Sequence, residues 1–343
     1  MTKKLVNKLK VVSFISIVLV IFIHSHNINY SEIQDESLIL RFNFFTQFLI
    51  SQGISRIAVP IFFAISGYLF FVNYISLKIS YLTKINKRVK SLLLPYITWS
   101  LFNLLLFFLL QNILKFDFFL NKKQIFQYTF HDFFHSIFIQ PIPYQLWFIR
   151  DLFLICLFSP LIFKLLNKFK IIIIIFLFII WLMNLNLVII RNESLLFFVF
   201  GSYLSIYKIP LQNKIISKYS SFGLILWIIL LTIRFFCFDS IIFHRITIIM
   251  GILSFWFFYD KLSIKKVLLN TQFYDYTFFI FLVHEPMLSF IKKILLLFFD
   301  SNINFYLPIY FIAPLITILL SIIIGVILKK KCLILYSYLT GGR

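Results

Sequence analysis

Charge is scarce in this chain, and negative charge scarcer still. Only 13% of the 343 residues are charged, 12 of them Asp or Glu, while 61% are hydrophobic. That balance excludes a soluble globular protein. Cysteine is equally thin. Cys156, Cys237 and Cys332 stand apart, the first two inside apolar segments, and form neither a disulfide framework nor a metal-ligand spacing. The chain holds 8 glycines, with no Gly-rich phosphate loop and no internal repeat. The N-terminus has the basic start and apolar core of a signal peptide. No small-x-small cleavage site follows, because His24-Ser25-His26-Asn27 comes next, so a retained signal anchor is expected.

What is present is a series of long apolar windows separated by basic residues. They predict an all-α polytopic integral membrane protein, one domain over residues 1–343 with about ten transmembrane helices. The predicted spans cover about 9–25, 54–74, 93–114, 146–163, 171–190, 194–207, 219–238, 246–259, 275–299 and 305–328. A polar loop is expected after the first span and a basic loop after the second. Residues 115–145 form the longest break, read as an interfacial or partly re-entrant stretch on the outer side. The formal charge of +21 then has a topological cause rather than a nucleic-acid one. With both termini in the cytoplasm, 22 of the 33 Lys and Arg fall on the inner side and 8 on the outer, which includes Lys115, Lys122, Arg245, Lys292 and Lys293.

In spans this apolar the polar exceptions carry information. His24 ends the first span, and fourteen helical steps place it about 21 Å above Lys10. That is roughly two-thirds of the way across a hydrocarbon layer about 30 Å thick. It either faces a wet cavity or sits as an interfacial histidine at a helix end. Arg56 opens the second span, where it snorkels to headgroups or faces the same cavity. Ser66-Gly67 offers a small face for close packing or for a ligand. Arg88 and Lys90, with Lys84 and Lys87, obey the positive-inside rule or hold a phosphate-rich ligand. Arg150 and Asp151 neutralise each other, beside the aromatic run through Trp147 that reads as an interfacial belt. His284-Glu285 lies inside the ninth span, and at most one of the two aims at a shared cavity, because helical neighbours point about 100° apart. Glu285 needs His284 or a basic residue of another span as partner, or the two serve helix–helix hydrogen bonding. His131 and His135 share one face without a third ligand, so they are read as a surface pair and no metal is expected.

Taken together, five stretches resemble the acyltransferase 3 family of multi-span bacterial acyltransferases that acylate sugars. They are IVLVIFIHS with His24, SRIAVPIFFAISGYLF with Arg56, Ser66 and Gly67, KRVKSLLLPY with Arg88 and Lys90, YQLWFIRDLF with Trp147, and FFIFLVHEPML with His284. Their order and spacing match the family over about residues 8 to 330. Departures are Ser13 where many members carry arginine, Lys90 for the second arginine of an Arg-x-Arg, and Gln145 for a histidine before Leu-Trp-Phe.

The resemblance implies transfer of an acyl group, acetyl as a rule, from acyl-coenzyme A to a hydroxyl of a surface polysaccharide or lipid-linked glycan. It further implies a multi-pass protein of the bacterial inner membrane, of the type without an attached extracellular hydrolase domain. His24 is then the general base and Arg56 orients the acceptor or stabilises the oxyanion. Arg88 and Lys90 hold the phosphates of coenzyme A. Ser66 and Gly67 line the acyl arm, and Trp147, His284 and Glu285 serve the substrate side. The rival reading is a glycolipid carrier or flippase, which would need no phosphate-binding segment and consume no thioester.

Overall fold

The computed structural model describes residues 1–28, 38–72, 77–113, 123–185, 190–236, 240–262, 272–299 and 302–342, without the side chains of 77–80 and 113. Cys237, Lys115, Lys122, Lys265, Lys266 and Arg343 lie outside the described residues. Among those described there is no strand.

Helix α1 (Lys3–Ser25) starts where the Thr2 hydroxyl accepts from the Leu5 amide at 3.3 Å, satisfying a donor the first turn leaves open. It packs against the segment Phe48–Phe71 and against the helices Thr277–Phe298 and Tyr306–Lys331. A polar loop was expected after it, yet a helix, α2 (Leu38–Gln47), is present. Leu40, Phe44 and Phe48 recur every four residues and are buried beside Phe235, the apolar stripe that makes such a segment helical. The chain continues through a π-helical turn (Phe48–Gly53) and a 3-10 turn (Ile54–Ile57) into α3 (Ala58–Phe71). Pro60 stands in the first turn of α3, with irregular turns just before it. A proline ring crowds the carbonyl four residues earlier, here that of Arg56, and the non-α turn relieves the clash.

The expected basic loop is likewise helical. Helix α4 (Leu77–Arg88) runs through a π turn (Val89–Leu93) into α5 (Leu94–Ile113). Neither Gly nor Pro interrupts residues 77–94, and the π turn precedes Pro95 as the irregular turns precede Pro60. Tyr81 donates to the Leu157 carbonyl at 3.0 Å, and Lys84 to those of Phe70 and Val72 at 2.5 and 3.2 Å.

Residues 123–146 form short turns around α6 (Phe130–Phe134). The Ile125 amide bonds Gln111 near the far end of α5, while Tyr96 near its start donates to the Ile137 carbonyl at 2.6 Å. Fifteen residues of α5 separate those anchors, so the arm descends about 22 Å alongside it. Helices α7 (Trp147–Leu157) and α8 (Ser159–Phe169) meet at a 64° bend, where Pro160 can begin a helix but not continue one.

Helices α9 (Ile171–Leu182) and α10 (Asn192–Ile206) follow, then the pairs α11 (Lys214–Phe236) with α12 (Ile241–Lys261) and α13 (Thr277–Phe298) with α14 (Tyr306–Lys331). A last helix, α15 (Leu333–Thr340), closes the chain. Six of the described helices are long and apolar enough to cross a membrane, or seven if α7 and α8 make one bent span. This is a multi-pass membrane protein. The further spans expected from sequence fall on α9, α10 and α13. At 12 and 15 residues, α9 and α10 reach only about 18 and 22 Å. Helix α13 is long enough but carries Glu285, Lys292 and Lys293. The count of ten is therefore not established.

The tightest seam joins α3 to α10. A Cβ on Gly67 would collide with the Phe198 carbonyl, and one on Gly201 with that of Ala64. Helices without a hydrophobic drive between them associate through such close contact. Gly201→Ala is expected to cost about 1–3 kcal/mol by overpacking, measured as a fall in the thermal midpoint in detergent; an unchanged midpoint would contradict this seam.

The two ends of the bundle are distinct. At one end Lys8 pairs with Asp260 at 2.8 Å and Lys10 with Asp275 at 3.0 Å. Lys329 lies 5.4 Å over the Tyr276 ring, and Gly341 approaches the Lys90 carbonyl. Both terminal helices therefore emerge at this end. At the other, Ser25 donates to the Tyr310 carbonyl at 2.7 Å and Asn27 to that of Tyr306 at 3.0 Å.

Candidate active site

The last turn of α1 leaves carbonyls that its own helix cannot pair. Lys292 of α13 donates to two of them, His24 O at 2.9 Å and His26 O at 3.1 Å. An ammonium at a helix C-terminus also matches the helix dipole. This brace holds the His24 backbone independently of its ring. That ring lies 5.6 Å from the His284 ring and 6.3 Å from Tyr144, centroid to centroid.

His284 is fully buried, and its Nδ1 sits 2.8 Å from the Phe281 carbonyl of its own helix. A carbonyl only accepts, so Nδ1 carries the proton and Nε2 keeps its lone pair. Among the described residues Nε2 is buried with no hydrogen-bond partner. Glu285 accepts from Ser289 at 3.3 Å, with Lys292 as its charged neighbour. The basic partner expected from another span thus comes from the same helix, two turns on.

Arg56 projects from the 3-10 turn before α3. Both its Nε, at 3.0 Å, and its NH2 donate to the Gln52 side-chain oxygen. His24 feels the charges of Arg56 and Lys292, and Arg56 those of Glu193 and Arg191. His24, Arg56 and His284 therefore converge near the end of the bundle remote from the termini. Arg150 donates to Asp151 at 2.9 Å and to the Ile139 carbonyl. Asp151, fully buried, also accepts from the Arg191 amide and the Ser194 hydroxyl at 3.1 and 3.2 Å, so it caps α10.

Trp147 borders this site. The Arg191 guanidinium lies 3.7 Å from its ring centroid, and Arg191 also donates to Tyr144 at 2.9 Å. Trp147, Tyr144 and Arg191 line a cavity of about 1000 Å3 between α5, α7 and the arm of residues 123–146. Its wall runs from Leu93, Tyr96 and Leu154 past Arg150 to Tyr144. Leu93 is three residues from Lys90, and Tyr144 is the ring against His24, so the cavity joins the two functional levels in depth.

Ser66 and Gly67 stand on α3 between those levels. The space beside Gly67 is filled by α10, so of the two roles open to it the geometry displays packing. Arg88 lies over the Phe70 ring at 5.8 Å, and Lys90 is exposed in the π turn. Fourteen residues along α3 separate Phe70 from Arg56, about 21 Å. Arg88 and Lys90 are thus far from His24, at the level of the termini.

Sequence reading passed over Lys292, Tyr144 and Glu193 as site residues. Lys292 and Glu193 had one available signal, a charge inside or beside an apolar helix.

Comparison with known proteins follows the same residues. The acyltransferase 3 family, described as an acyltransferase domain, matches residues 7–326. The chain is also 24% identical over 312 residues to the succinoglycan biosynthesis protein ExoH of Rhizobium meliloti (strain 1021), covering 86% of this chain and 81% of that one. No solved structure matches.

Proposed function

This chain belongs to the acyltransferase 3 family, and from that premise we propose that it moves an acyl group, acetyl as the first choice, from acyl-coenzyme A to a hydroxyl of a cell-surface polysaccharide or lipid-linked glycan. The relative active in succinoglycan biosynthesis supports a polysaccharide as acceptor. The observation that carries the reading is the His24 ring 5.6 Å from His284 and within reach of the Arg56 charge.

His24 takes the proton of the acceptor hydroxyl as its oxygen attacks the thioester carbonyl. The oxyanion that forms is stabilised by Arg56. When the carbon–sulfur bond breaks, the coenzyme A thiolate recovers the proton from the His24 imidazolium. His284 Nε2 and Glu285 orient the acceptor, and Trp147 offers a flat face beside Arg191. Arg88 and Lys90 hold the phosphates of the donor, as fixed cations do. Its thioester arm follows the cavity from Leu93 towards Tyr144. One domain over 1–343 does this in the bacterial inner membrane, with the basic, terminus-bearing end in the cytoplasm.

The test is free-thiol release from acetyl-coenzyme A by purified protein, with host membrane extract as acceptor source. Release that requires the extract is expected. Arg88→Ala and Lys90→Ala should each raise KM for the donor roughly tenfold with little change in kcat, the loss of one charge-assisted contact. No thiol release from folded protein would sink the coenzyme A donor, and an unchanged KM would remove those two residues from the donor site.

A further inference from the structure

Beyond the reacting groups, a second set of cations is buried where α11 ends and α12 begins. Arg234 and Arg245 are only 7% and 8% exposed. Arg234 donates through NH1 to the Gln52 carbonyl and lies 5.2 Å over the Phe48 ring. Among the described residues its Nε is buried without a partner. Arg245 donates through NH2 to Asn184 at 2.6 Å and lies 5.4 Å over the Trp181 ring. Among the described residues its NH1 is again buried without a partner, as is Nδ1 of neighbouring His244.

Gln52 ties this set to the site. Its side-chain oxygen accepts from Arg56 and its backbone oxygen from Arg234. His244 feels the charges of Arg234, Arg56 and Arg245. Among the described residues, Glu193 is the carboxylate that Arg56, Arg191 and Arg245 share. Positive charge out of water is costly unless countered, and a guanidinium left with open donors is an incomplete site. A neutral sugar hydroxyl would fill the donors but not the charge. A carboxylate or phosphate fills both, because its oxygens match the planar fork.

We infer that Arg234, linked through Gln52 to Arg56, and Arg245, at the start of α12, bind an oxyanion carried by the acceptor, a carboxylate or a phosphate ester. Calling that ligand the acceptor rests on the acyl-transfer reading; the binding itself does not. The oxyanion has two sources, an acidic sugar residue or the phosphate of a lipid-linked glycan. Bound there, it fixes which hydroxyl meets His24.

The experiment is thermal unfolding of the purified full chain in detergent, without acyl donor, titrated with methyl β-glucuronide, glucose 1-phosphate or methyl β-glucoside. A saturable rise in midpoint is expected with one or both anions and none with the neutral glucoside. The glucuronide response identifies the acidic sugar, and a response to the phosphate alone identifies the lipid-linked phosphate. Arg234→Lys and Arg245→Lys keep the charge but lose the fork, and each should raise the half-saturating concentration about tenfold or more. A glucoside response equal to that of the anions would overturn the inference. So would wild-type affinity in both lysine variants, or no response to either anion. None of these outcomes depends on thiol release, so this inference and the transfer reaction fail separately.

Discussion

Replacing His24 by alanine is expected to lower acyl transfer by roughly 10²–10⁴-fold, the share that a positioned general base supplies. The fold should survive the change. The His24 backbone is held by Lys292, whose bond goes to the carbonyl and not to the ring. The ring itself contacts His284 and Tyr144, neither of which depends on it for a hydrogen bond that the structure displays. Thiol release and the thermal midpoint, measured on the same preparation, separate the two effects. A midpoint within a few degrees of wild type with transfer gone fits a base that acts chemically. Transfer near the wild-type rate would remove His24 from the reaction.

The second large effect is one of stability. Lys8 is fully buried and Asp260 is 7% exposed, with 2.8 Å between ammonium and carboxylate. The ammonium also lies 4.0 Å from the Trp256 ring centroid. Breaking a buried pair by removing one partner leaves an uncompensated charge out of water, at a cost of about 3–5 kcal/mol. Asp260→Asn should therefore destabilise strongly. Adding Lys8→Met to it should recover most of the loss, because the orphaned charge is then gone and the methionine fills the stem's volume. Chemical denaturation of wild type, single and double variants measures the difference. A double variant no more stable than Asp260→Asn would mean that packing, not charge, holds α1 to α12.

Much of this architecture is written in single residues. The apolar run ending at His24 is enough to place an imidazole at the end of a membrane helix, and the arginine opening the second span does reach the same region. The break in the apolar pattern over 115–145 follows from its aromatic, mixed-charge composition, and its described part, from 123, is built of short turns. Three features were not legible, each for a physical reason. The helices at Leu38–Gln47 and Leu77–Arg88 were read as loops because their charges and polar groups resemble loop composition, whereas periodic burial of Leu40, Phe44 and Phe48 decides the first. The neighbour of Gly67 cannot be known from its own helix, since Phe198 and Gly201 lie more than a hundred residues away. The charge count puts Lys292 on the outer side, yet it caps α1 across the bundle. A topology count sees charge, but not the carbonyls that a charge can reach.

The contact at Gly67 and Gly201 also bears on how the protein can move. Two backbones that touch at interlocking points resist sliding, so α3 and α10 form a stiff spine. Arg56 stands at one end of that spine, and the Phe70 ring beneath Arg88 at the other. Motion that admits substrate or releases product then falls elsewhere, to the cavity that α5, α7 and the arm enclose. There the arm of residues 123–139 is hung from α5 by Gln111 and Tyr96. The enzyme is built as a fixed anvil with a hinged flank, and spin labels on α3 and α10 should keep one separation through turnover while a label on the arm changes its own.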